Sequence, residues 1–190
     1  MNEAMARLLD RGAIQDLMAR YARGVDRRDW EAVRATFHPD AHDDHGEYKG
    51  NVDGFIAWVS RRHEKVAQSM HFLGNCLIEF TGADIALVET YYIARQTYGA
   101  DASAALTMIG SGGAPGAMEA EIWGRYIDIV ERRQGEWRTA QRTVAFEVLQ
   151  AHAASSLPLA AAWAQAKRDP TDPLYVIRAR AMALAGRTAR

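Results

Sequence analysis

The chain has 190 residues, with 23 Lys and Arg against 24 Asp and Glu, a net charge of −1. That balance lacks the basic excess on which binding to a phosphate backbone rests, so nucleic acid is not an expected partner. Its one cysteine, Cys76, rules out an internal disulfide framework and a cysteine-only metal cluster, and 48% apolar with 25% charged residues is a globular composition, not a disordered one.

No apolar run approaches the roughly 20 residues that span a bilayer. The stretch Met1 to Asp10 carries Glu3, Arg7 and Asp10 with no signal-like apolar core, so a cytoplasmic protein with no membrane partner is expected. The length suits one domain over residues 1–150 and a helical extension over 151–190.

From Ile14 the apolar positions Ile14, Leu17, Met18 and Tyr21 recur at helical steps, with Asp10 as candidate cap and Gly24 as candidate stop. A second short helix is predicted over Asp29 to Phe37, ended by Pro39, with Trp30, Val33 and Phe37 on one face. A third runs from Val52 to Val66 behind Asn51 as cap. The period then changes. Ser69 to Thr81 alternates, which puts Met70, Phe72, Cys76, Ile78 and Phe80 on one face and His71, Leu73, Asn75, Leu77 and Glu79 on the other. Further strands are predicted over Ile85–Tyr98, Glu119–Arg133 and Trp137–Leu149, the last two joined as a hairpin through Gln134-Gly135-Glu136. Gly99 to Met118, rich in glycine, reads as a long loop. After His152 the chain turns Ala-rich and helical, breaks at Arg168 to Pro173, and resumes. Helices first and long antiparallel strands afterwards make an α+β domain, closed most simply as a half-barrel of curled, mainly antiparallel sheet wrapped round the N-terminal helices. Such a closure leaves a concave pocket between sheet and helices.

Three short stretches carry a family resemblance. Tyr21 to Trp30 followed by Phe37-His38-Pro39-Asp40-Ala41 and Gly50 resembles the N-terminal signature of SnoaL-like proteins. Ser69 to Asn75 resembles the histidine-bearing strand of the enzyme members, and Trp137 to Arg142 their last strand. These proteins belong to the nuclear transport factor 2-like superfamily, so the resemblance implies a cone-shaped α+β barrel. It does not choose a function, because the scaffold hosts dehydratases, isomerases, cyclases and binding modules. Two members, scytalone dehydratase and hexachlorocyclohexane dehydrochlorinase, use a His–Asp pair without metal or cofactor. Asp26 and His71 stand at the matching positions. The lysine that the dehydrochlorinase carries before its Asp is unmatched, with Arg20 or Tyr21 in its place, which points away from halide elimination.

Asp26 and His71 are therefore the first catalytic candidates: an imidazole near neutral pKa abstracts a proton, and a carboxylate fixes its tautomer. The alternative is structural, with Asp26 capping the next helix and His71 a core histidine. Tyr21 is a further catalytic candidate, as acid or polar anchor. Substrate-binding candidates are Asn75, two pleats beyond His71; Tyr48 and His45, from the strand expected over His42 to Tyr48; and Arg142, which either holds an anionic or phenolic oxygen or pairs with Glu89 or Glu147. The run His38 to His45 holds three His and three Asp, but His42 and His45 would fall on opposite strand faces, so no metal site is expected. Gly110 to Gly113 lacks the context of a phosphate loop.

These readings converge on a cofactor-independent lyase that eliminates water or formaldehyde from a small aromatic alcohol. A lignin-derived diarylpropane is the kind of substrate that one branch of the resemblance implies. The other readings are a non-catalytic small subunit of a ring-hydroxylating oxygenase and a small-ligand binding module. A sheet face carrying Trp123 and Trp137 would serve self-association, and the resemblance implies a homodimer or homotrimer.

Overall fold

The structure is a computed structural model and describes residues 2–99 and 116–188. The long glycine-rich loop expected over Gly99 to Met118 lies almost wholly outside the described residues. Two compact units are distinguished, Met1–Ala154 and Ser155–Arg190.

Helix α1 spans Glu3–Arg27, capped by the Asn2 side chain, which accepts from the Met5 amide at 2.8 Å, and ended by Arg28 in the left-handed region (φ 56°). Neither expected boundary residue acts as one. Asp10 lies inside the helix and buried, where its carboxylate accepts from the Trp137 indole at 2.9 Å and from Arg132 at 2.7 Å. Gly24 continues the helix. A Cβ there would stand 2.7 Å from Val33 Cγ2 and 3.2 Å from the Val33 amide, so its lack of a side chain lets helix α2, Trp30–Ala35, cross closely. Gly24→Ala gains at most about 1 kcal/mol of helix propensity, while the forced repacking costs about 1–3 kcal/mol, so net destabilisation is expected in urea unfolding.

Asp29, not Asp26, caps α2, accepting from the Ala32 amide at 3.1 Å. The helix stops before Phe37, which opens strand β1, Phe37–Asp44. A turn closed by the His45 amide on the Tyr48 carbonyl (2.8 Å) leads to β2, Lys49–Asn51, so the strand expected over His42 to Tyr48 is the end of β1 followed by a bend. Helix α3, Val52–His63, starts on its predicted Asn51 cap.

Four long strands follow: β3 Val66–Phe80, β4 Ile85–Tyr98, β5 Met118–Arg133 and β6 Glu136–Ala153. Gln134 and Gly135, both at positive φ (54° and 84°), form the predicted β5–β6 hairpin turn. This is the twist-matched geometry of a two-residue connection. The sheet is open and mixed, in the order β2-β1-β6-β5-β4-β3, with β1 parallel to β6 and every other pairing antiparallel. The α+β half-barrel of the sequence reading is the observed architecture.

Irregularities within the strands decide which side chains face inward. Leu73 pairs with Tyr92 but Cys76 pairs with Thr90, so β3 carries one extra residue between them. A bulge of this kind reverses the alternation. His71, Leu73, Cys76, Ile78 and Phe80 consequently share the inner side, while Met70, Phe72, Asn75 and Leu77 are exposed. Strand β6 has a similar shift, Gln141 pairing with Ile129 but Thr139 with Val130, which buries Trp137, Thr139, Arg142 and Val144 together. Trp137 therefore packs against α1 residues in the core and does not share an exposed face with Trp123.

The second unit departs from expectation. Residues 154–172 form no helix, although Ala-rich. Pro158 and Pro170 interrupt the stretch, and Leu157, Leu159 and Trp163 are exposed, so no apolar face is buried to sustain one. Helix α4, Pro173–Thr188, begins where Asp172 accepts from the Leu174 amide at 2.9 Å. Among the described residues no helix is long and apolar enough to cross a membrane.

Candidate active site

Asp26 sits in the last turn of α1, against the start of β3. Its carboxylate accepts three hydrogen bonds: from the Ser69 hydroxyl (2.8 Å), from the His71 amide (2.8 Å) and from His71 Nδ1 (2.7 Å). Burial would raise the acid's pKa, but the bonds from His71 and Ser69 outweigh it and hold Asp26 below the ordinary aspartate value. An ionised Asp26 fixes the proton on Nδ1 and leaves the lone pair on Nε2. The His71 side chain is itself only 6% exposed, with its ring 6.0 Å from that of Tyr92.

Beside this pair runs a stack of aromatic rings and one guanidinium. Tyr92 lies flat on Tyr126 (4.3 Å between centroids), and Tyr126 meets Tyr21 edge to face at 5.4 Å. Gly124 makes room, because a Cβ there would fall 2.9 Å from the Tyr92 hydroxyl. Arg142 is sandwiched with its Cζ 3.9 Å from the Tyr21 centroid and 4.3 Å from that of Tyr126. Burial pushes the hydroxyls of Tyr21, Tyr92 and Tyr126 well above their ordinary value, so all three are neutral donors.

Arg142 is fully buried and binds Asp128 in bidentate fashion, Nε and Nη2 each at 2.7 Å. Burial opposes its charge, but Asp128 more than compensates and keeps the guanidinium ionised. The predicted partners Glu89 and Glu147 instead bind Arg125. The third nitrogen of Arg142, Nη1, has no hydrogen-bond partner among the described residues.

A second carboxylate–imidazole pair lies at the end of β1. Fully buried Asp43 accepts from His45 Nδ1, and His45 Nε2 lies 3.4 Å from the Tyr21 hydroxyl. The His45 ring stacks on Phe55 at 4.6 Å. A cavity of about 370 Å³ opens beside it, lined by Arg62, Ile122, Phe146 and Leu149 among others.

Two sequence candidates sit elsewhere. The Tyr48 hydroxyl donates to the Asn51 carbonyl at 2.7 Å and its ring stacks on Trp58, which ties it to the start of α3. Asn75, displaced by the bulge, lines a separate groove of about 610 Å³ with Phe72, Tyr91 and Trp123. That groove is the roomier one, and neither imidazole pair lines it. Among the described residues no three His, Cys, Asp or Glu side chains are grouped to hold a metal ion, and His42 is exposed.

Sequence reasoning missed Ser69, Asp43, Asp128, Tyr92 and Tyr126. Ser69 was legible, being one pleat before His71. Asp128 was not: counting from the Arg133–Glu136 pair puts Ile127 opposite Arg142, and the β6 irregularity moves the register by one.

The SnoaL-like domain family matches residues 6–143, which include both imidazole pairs and Arg142. The chain belongs to the SnoaL-like family. Among solved structures, this SnoaL-like chain is similar to a candidate scytalone dehydratase from Novosphingobium aromaticivorans. They share 17% identity and a TM-score of 0.65, over 80% of this chain and 94% of that one. It is also similar to the hexachlorocyclohexane dehydrochlorinase LinA-type3 from Novosphingobium barchaimii LL02, at 21% identity and TM-score 0.65, over 83% and 100% of the two chains. A candidate aromatic ring hydroxylase from N. aromaticivorans shares 25% identity at TM-score 0.62, over 76% and 94%. No curated protein matches the sequence.

Proposed function

We propose that this SnoaL-like chain is a lyase in which His71 moves the proton and Asp26 orients it, on a small aromatic alcohol. The observation that carries the reading is the threefold grip on Asp26. One carboxylate oxygen holds the β3 amide, the other holds Ser69 and the imidazole, so the ring has one orientation and one tautomer. A histidine held in this way is a general base with Nε2 as the reacting atom. Tyr92, whose ring lies next to that of His71, supplies a neutral hydroxyl to stabilise a departing oxygen. Proton transfer of this kind suffices for loss of water and for retro-aldol release of formaldehyde, and a lignin-derived diarylpropane carries the groups for both. The relatives support this choice of chemistry, because a dehydratase and a dehydrochlorinase are both elimination catalysts.

The test is turnover of a panel of aromatic propanediols by wild type and His71→Gln. Loss of the base is expected to lower kcat by about 10²–10⁴-fold while the protein stays folded. Wild-type turnover by His71→Gln sinks the mechanism. Likeness to the aromatic ring hydroxylase candidate favours a second reading, as a non-catalytic oxygenase subunit. Failure of the wild type on every diol, with a co-purifying larger subunit, would establish that reading instead.

A further inference from the structure

Two arginines of α1 are left over once the ion pairs are assigned. Arg34, Arg95, Arg125, Arg132 and Arg133 each meet a carboxylate. Arg20 and Arg23 are exposed and have no hydrogen-bond or ion-pair partner among the described residues. They stand three residues apart on one helix, where like charges are neighbours and weaken the helix slightly. The helix dipole favours a cation in the last turn, and that turn holds Arg27 and neither of these two.

What the two share is a cavity. About 530 Å³ of space lies between α1, α2 and the β5–β6 turn, and Arg20, Arg23 and Arg138 line it together. The close crossing at Gly24 brings Ala32 and Ala35 of α2 alongside this stretch of α1, and these small side chains leave the space open. Arg138 is half-buried, with Nε and Nη2 on the Glu136 carboxylate, the one acidic group of the lining. Three guanidinium groups against one carboxylate leave an excess of two positive charges.

We propose that this cavity binds the phosphoryl group of a small anion, held by Arg20 and Arg23 and backed by Arg138. A guanidinium fork binds phosphate oxygens two at a time, which a point charge does not. A phosphoryl group carries about −1.5 to −2 charges at neutral pH, against one for a carboxylate, and so matches the excess. Trp137 and the alanines of the lining give an apolar body attached to that group a surface to rest on. None of the residues of either imidazole pair lines this cavity, so the site stands whether or not the lyase reading holds.

The experiment titrates the full chain at fixed ionic strength with phenyl phosphate, inorganic phosphate and benzoate, read by calorimetry and by melting temperature. Phenyl phosphate is expected to bind at one site with a dissociation constant at or below about 1 mM, and to raise the melting temperature. The double variant Arg20→Gln with Arg23→Gln should bind it about tenfold more weakly or worse, because two charge-assisted hydrogen-bond donors are gone. Both positions are exposed, so the variant is expected to keep its fold, checked by its far-ultraviolet spectrum. Arg23→Lys keeps the charge without the fork and should fall between the two. Arg61→Gln removes an exposed arginine elsewhere and should change nothing. Tighter binding of phenyl phosphate than of phosphate assigns an organic ester, equal binding assigns free phosphate, and either keeps the site. Benzoate binding as tightly as phenyl phosphate overturns the assignment. Wild-type affinity in the double variant, an equal loss in Arg61→Gln, or no binding of any of the three anions overturns it as well.

Discussion

Asp26→Asn is expected to lower kcat by about 10⁴-fold while leaving the protein folded, the size of effect seen when an orienting carboxylate becomes an amide and the imidazole takes the wrong tautomer. The geometry explains why so small a change acts so strongly. Asn can still accept from the His71 amide through its one oxygen, but its NH2 then replaces the oxygen that binds Ser69 and Nδ1, and faces Nδ1 as a donor. The ring proton is driven to Nε2, and the reacting nitrogen loses its lone pair.

The same variant carries a pH signature in stability. Asp26 has a folded-state pKa below its ordinary value of 3.8. Its contribution is therefore fully present above the unfolded pKa, near 4, and is lost as pH falls through the lower folded value. Melting temperatures of wild type and Asp26→Asn should differ by a constant amount from neutrality down to about pH 4 and converge below it. A gap that widens toward acid would contradict the placement of Asp26 as an ionised acceptor.

The second large effect is on stability. Asp128→Ala leaves the Arg142 guanidinium buried between two tyrosine rings with no counter-charge, and is expected to cost about 3–5 kcal/mol in urea unfolding. That is a large share of the roughly 5–15 kcal/mol that holds a typical domain together. Replacing both partners, Asp128→Leu with Arg142→Met, should recover most of the loss, because an apolar pair of similar volume carries no desolvation penalty. If the double variant is as unstable as the single one, the ion pair is not the source of the cost. Turnover separates two roles: the double variant regains stability without the cation that spaces Tyr21 and Tyr126, so activity should stay low.

Much of the architecture was legible because local chemistry dictated it. The α1 stripe, the Asn51 cap and the turn at Gln134-Gly135 each follow from side chains within a few residues of one another. Alternation worked wherever it was unbroken, as in β4, and failed at the irregularities of β3 and β6, which leave no local mark in the side-chain pattern. Asn75 was misplaced and Asp128 overlooked for that one reason. Helix ends were misjudged where tertiary contacts override capping rules: Asp10 reads as a cap until Trp137 and Arg132, far along the chain, claim its carboxylate. Asp26 and His71 came from resemblance, since nothing in their spacing says that the end of α1 lies against β3. The His45 pair was half seen, because its histidine was named and its carboxylate was treated only as a metal candidate.

The extra residue in β3 gives the strand two masters. Up to Leu73 its inward side chains lie beside Asp26 and the tyrosine cluster, and from Cys76 they pack against α1, where Ile78 meets Ile14 and Leu17. Removing one residue at Asn75 would restore an unbroken alternation in which His71, Leu73, Cys76 and Ile78 all still face inward. Exchanging Asn75 for another side chain would disturb neither half. The strand therefore tolerates loss of the out-of-step residue, whereas a second inserted residue there would turn Ile78 and Phe80 away from α1.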